Sequence, residues 1–166
     1  MKLIKMERIG TILIVLFTLI LSNLYLSTDM GLFRMVGANN ASVMEQMKVI
    51  YFSLIFFIII EMLFKVQYND NFFYAKAISS YILVFSVPML FYTFKNMFGV
   101  MNMFMYILLI FLAALLCQSF SCKILLDEQI GTLKGKLISI LSILLLGIIL
   151  VYFSYNPLST PIFMAG

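Results

Sequence analysis

Two glutamates are the first candidates for chemistry in this sequence. Glu61 stands at the end of a long apolar run, and an acid at membrane depth is by default a proton- or ligand-binding candidate. Lys65 follows four residues later, in the Glu-then-Lys order that stabilises a helix, so a structural pair is the competing and blander reading. Glu45 closes Ser42-Val43-Met44-Glu45, the S-x-x-E form of a capping box, where serine and acid satisfy the first N–H groups of a helix. Capping accounts for Glu45 more simply than ligand binding does.

Three further positions could shape a site. Pro88 lies in the middle of an apolar run, where it removes a backbone hydrogen bond, leaves the Val84 carbonyl free and is expected to kink the helix. Such kinks line cavities, although a packing role is the commoner one. Tyr92, one turn beyond Pro88, and Tyr81, two turns before it, share roughly one face, where their hydroxyls would line a small polar pocket or sit at the interfaces. Gln118 borders the small-residue stripe Ala113, Cys117 and Ser121, and is expected to hydrogen-bond across to a neighbouring helix.

Other chemistry is excluded by residue type. The chain has no histidine, so its serines have no evident base and its two cysteines, Cys117 and Cys122, make a poor metal site. Five residues apart on a helix, those cysteines also diverge, which disfavours a disulfide. Gly131-Thr132-Leu133-Lys134-Gly135-Lys136 resembles a phosphate loop only superficially. Its glycine spacing is one residue short, and neither a strand before it nor a hydroxyl residue after Lys136 is present. The expectation is a protein that is not an enzyme, with no metal and no cofactor.

The elements that must position these residues follow from composition. Of 166 residues 64% are hydrophobic and 11% charged, with mean hydropathy +1.11, against roughly half and a quarter in soluble domains. The architecture expected is all-α, a single-domain transmembrane bundle. A charge at the bilayer centre costs about 2.5–3.5 kcal/mol or more, so stretches between charges mark the spans. Five result, at about 9–27, 43–64, 76–94, 101–121 and 136–154. The second becomes long enough only if it starts at the Ser42 cap. The short loops predict that consecutive helices are antiparallel neighbours. An amphipathic piece around Leu32–Val36 is placed at the interface, and the tail, with Pro157 and Pro161, is expected to be extended.

Lysine and arginine set the orientation. With the N-terminus inside, Lys2, Lys5, Arg8, Lys65, Lys76, Lys123, Lys134 and Lys136 face the cytoplasm, and Arg34, Lys48 and Lys95 face outward. Eight against three predicts a cytoplasmic N-terminus and an outer C-terminus. The formal net charge of +4 comes from this excess, which favours anionic lipid headgroups as contacts over nucleic acid.

Several stretches taken together resemble an uncharacterised family, a domain of unknown function, of small bacterial five-span integral membrane proteins. They are Ser42 to Lys48, Ile60-Glu61, Ala75-Lys76-Ala77, Pro88 with Phe91-Tyr92-Thr93, Gln118 with Ser121, and Tyr155-Asn156-Pro157 with Pro161-Ile162-Phe163. Met44 and Gln46 stand where the family pattern has Trp and His, and Leu158 and Met164 replace a proline and an acid in its tail. The resemblance implies five helices in the bacterial cytoplasmic membrane and no known activity. The functional expectation is a binding protein: an accessory, immunity or regulatory component that contacts membrane lipids, a larger membrane complex or a second copy of itself. A transport or ligand-capture subunit is the alternative. Glu45, Glu61, Pro88, Tyr92 and Gln118 are the candidate contact residues.

Overall fold

The computed structural model describes residues 2–28, 35–64, 66, 69–127 and 132–163, with side chains of the first helix described from Ile4 to Asn23. The helices are α1 (Lys2–Thr28), α2 (Val43–Leu63), α3 (Phe72–Phe98), α4 (Met103–Leu125) and α5 (Leu133–Tyr155). Three begin at side-chain caps: Ser42 Oγ accepts from the Glu45 N–H at 3.3 Å, Asn102 Oδ1 from Met105 at 2.9 Å and Thr132 Oγ1 from Gly135 at 3.2 Å. The third helix ends at Gly99, whose φ of +76° is a left-handed conformation that costs glycine little. Each helix stands where an apolar run predicts it, and α3 continues through Pro88 without a break. Helices α2, α3, α4 and α5 are long and apolar enough to cross a membrane.

α1 packs on α2 and α4, and α3 packs on α2 and α4, so the first four helices form a closed ring. Ile14, Leu54, Phe57, Phe72, Leu83 and Leu109 fill its centre. The last helix departs from expectation: α5 packs chiefly on α2 and α3, not on its chain neighbour α4. The contacts that hold it there are directional. Tyr51 donates to the Ile143 carbonyl at 2.7 Å. Tyr81 donates to the Ser142 carbonyl at 3.2 Å and accepts from its hydroxyl at 3.0 Å.

The ends of the bundle are closed by polar and apolar devices in turn. Beside the start of α3, Asn69 and Asn71 donate to the Leu125 and Ile124 carbonyls at 3.1 and 3.3 Å, and Asn71 also to that of Asp127. They satisfy carbonyls that a helix C-terminus leaves free. At the opposite end the tail is not extended. It turns at Thr160–Phe163, the Ile162 carbonyl accepts from the Met44 N–H at 3.0 Å, and Phe163 packs on Phe153. Burying Ile162 and Phe163 outweighs the extended preference of the prolines. The interfacial piece proposed around Leu32–Val36 lies mostly outside the described residues. Around the bundle, Leu137, Leu141, Leu144 and Ile148 of α5, with Phe104 and Phe111 of α4, stay exposed, as residues facing lipid do.

Candidate functional site

Polar side chains collect at the two ends of α2. Glu45 and Glu61 are sixteen residues apart, about 24 Å along the helix, so in a hydrocarbon core about 30 Å thick the two groups would lie toward its opposite edges rather than at its middle.

At the Glu61 end, four helices bring one charge cluster together. Lys76 Nζ of α3 lies 2.7 Å from Glu61 Oε2 and 2.8 Å from Glu7 Oε1 of α1. Ser121 Oγ of α4 accepts from Lys76 and donates to Glu7 Oε1, each at 3.0 Å. Phe57 and Phe72 place their rings 5.2 and 5.7 Å from the ammonium. All of these side chains are buried. The i,i+4 pairing proposed for Glu61 with Lys65 has its lysine outside the described residues, and the partner that Glu61 does show is Lys76, from another helix. Lys76, assigned to the cytoplasmic count, is an interior cation. Its ammonium donates to Ser121 Oγ and to both acids, so it supplies no base to Ser121.

Gln118 stands one turn before Ser121 on α4 and is 3% exposed. Among the described residues neither of its amide atoms has a hydrogen-bond partner, contrary to the cross-helix bond expected of it. Gly10, one turn beyond Glu7, makes room for it: a Cβ there would lie 2.2 Å from Gln118 Nε2 and 2.3 Å from Phe57 Cζ.

At the Glu45 end the capping expectation holds for one half only. Ser42 caps α2, but its own N–H bonds Asn40 Oδ1 at 2.8 Å, which leaves no need for the acid. The Glu45 carboxylate instead pairs with Lys48 at 2.7 Å and accepts from the Asn39 N–H at 2.9 Å and Ser154 Oγ at 2.6 Å. Ser154 accepts in turn from Lys48 at 2.8 Å and from Asn39 Nδ2 at 2.9 Å. A buried lysine one turn along α2 needs a counter-charge, and Glu45 provides it.

Beside this second cluster opens a cleft of about 740 Å³, lined by Ser22, Gln46, Phe91, Lys95, Asn102 and Tyr106 among others. Its volume is in the range of small-molecule sites. Lys95 is exposed and its ammonium lies 5.8 Å from the Phe91 ring. Gln46 Oε1 is buried without a partner among the described residues. Ser22 and Tyr106 share a 3.1 Å hydrogen bond. Pro88 and Tyr92 do not line this cleft: Tyr92 packs against the apolar core, while Tyr81 is committed to α5. The shared polar face proposed for the two tyrosines is therefore not formed.

Sequence reasoning placed none of Glu7, Lys48, Lys76 and Lys95 in a site, reading the three lysines only as orientation charges or as parts of the family pattern. A signal for Glu7 exists: Glu7, Gly10, Thr11, Ile14, Thr18 and Leu21 are all buried and recur at the three- and four-residue spacing of one helix face. Among the described residues no group of three His, Cys, Asp or Glu could hold a metal ion.

Long apolar helices, buried ion pairs near both ends and an exposed apolar girdle define a helical membrane protein of several spans. The chain belongs to a family of unknown function (DUF6512), matched over residues 2–166. Comparison with curated proteins and with solved structures returns no match.

Proposed function

We propose that the protein is a five-span, non-enzymatic component of the bacterial cytoplasmic membrane that binds a lipid in the cleft between α1, α3 and α4. The cleft carries this reading. It combines one exposed cation, Lys95, and the capped N-terminus of α4 with the apolar walls of Phe91, Met101 and Met103, a pairing suited to a phosphate headgroup with its acyl chains in the bilayer. Protein purified in mild detergent should retain phospholipid, measured by mass spectrometry after extraction. Lys95→Glu should lower the retained amount roughly tenfold, equivalent to about 1.4 kcal/mol, without altering the fold. Equal retention by both proteins would refute lipid binding here, and a co-purifying membrane protein in fixed ratio would favour docking on a larger complex. Transport or ligand capture is the second reading, motivated by the buried acids and lysine at the Glu61 end.

In this reading α1 is the fifth span, with Ile9, Ile12, Leu16 and Ile20 exposed along it and facing lipid. Lys48 and Lys76 are interior residues, so neither counts toward orientation. Removing both leaves seven basic residues inside against two outside, and the bias still favours a cytoplasmic N-terminus. In cells expressing a chain with alanine at Cys117 and Cys122, a membrane-impermeant thiol reagent should label Ser159→Cys and spare Lys134→Cys. The opposite labelling would invert the topology.

A further inference from the structure

Among the described residues the ion cluster at the Glu61 end is unbalanced: Glu7 and Glu61 share the ammonium of Lys76. With both acids ionised, a net negative charge would lie in a buried site, where an uncompensated ion is costly. Polar atoms in the same interior region are also left over. The acceptors Glu7 Oε2, Glu61 Oε1 and Gln118 Oε1 and the donor Gln118 Nε2 are buried without a hydrogen-bond partner among the described residues.

We propose that Glu7 and Glu61 together bind one exchangeable proton, which makes the cluster neutral and converts one leftover carboxylate oxygen into a donor. A proton fits better than a metal ion. The position between the two acids is already filled by Lys76 Nζ, which would repel another cation, and the phenyl rings of Phe57 and Phe72 close in on it. A proton adds no volume. Among the described residues, the charged and titratable groups in electrostatic reach are Arg8 of α1, which is exposed, and Cys117 and Cys122 of α4. Ser79 of α3 and Ser121 add only hydroxyls.

Infrared spectroscopy of the full chain in lipid vesicles tests this. At neutral pH the wild type should show the carbonyl stretch of one neutral carboxylic acid per chain. The band should shift when glutamate is labelled with carbon-13 and when the buffer is exchanged into deuterium oxide. Glu7→Gln and Glu61→Gln should each abolish it, because each leaves one acid facing one ammonium. Should either variant fold poorly by circular dichroism, the wild-type band and its isotope shifts decide the matter alone. The absence of a neutral glutamic acid in the wild type would overturn the proposal. So would a band that survives in both variants, or one that is lost on adding sodium at constant pH, which would make the bound charge a metal cation.

Discussion

Lys76→Met should lower stability by about 3–5 kcal/mol, the range for breaking a buried ion pair by removing one partner. In a chain of this size that is a fall of on the order of 10 °C in Tm, measured by thermal unfolding in detergent. Methionine keeps most of the lysine's volume, so the loss arises from charge: Glu7 and Glu61 lose the cation they share, and Ser121 loses its donor. A chain that also carries Glu7→Gln and Glu61→Gln should recover most of the loss, since neutralising a whole buried ion cluster is often close to neutral. The comparison separates pairing from packing. If the triple variant is as unstable as Lys76→Met, the lysine stem packed near Phe57 and Phe72 is what stabilises the bundle.

Gly10→Ala should be destabilising by about 1–3 kcal/mol although it is a glycine-to-alanine change within a helix. Elsewhere such a change adds about 0.5–1 kcal/mol of stability through the backbone. Here the new methyl would stand 2.2 Å from Gln118 Nε2 and 2.3 Å from Phe57 Cζ, and α1 would have to move away from α2 and α4. Gly135→Ala is the control. Its nearest contact is the exposed Thr132 hydroxyl at 3.0 Å, so its Tm should stay close to wild type. Adding Gln118→Ala to Gly10→Ala should restore part of the loss by removing one of the two clashing side chains. Failure of the second change to help would place the whole clash on Phe57.

The two experiments probe the same junction, where α1 meets α2, α3 and α4, and the sequence speaks unevenly about it. Gly10 and Glu7 lie on a recurrent stripe of small and polar residues, so the buried face of α1 is legible in advance. The partner of Glu61 is not. Lys65 sits at the ideal local spacing and Lys76 lies beyond a loop, and nothing in the spacing alone favours the distant lysine. The same holds at the other end, where Ser42 is legible as a cap but the bond from Ser154 to Glu45 joins residues of α2 and α5, more than a hundred positions apart in the chain.

What the sequence determined by itself is the set of helices, their approximate limits and the Ser42 cap of α2, because backbone groups in a lipid-facing segment must be satisfied within that segment. Apolar runs, charges and capping residues therefore carry the secondary structure locally. Tertiary structure alone decided that α5 lies against α2 and α3, that the tail returns to Met44, that Glu7 and Glu61 share Lys76, and that Gln118 is left without a partner among the described residues. The physical reason is that these helices are apolar on nearly every side, so hydrophobic pattern does not specify how each is rotated. Rotation is fixed by a few polar contacts and close approaches between residues far apart in the chain, and those exist only once the helices have packed.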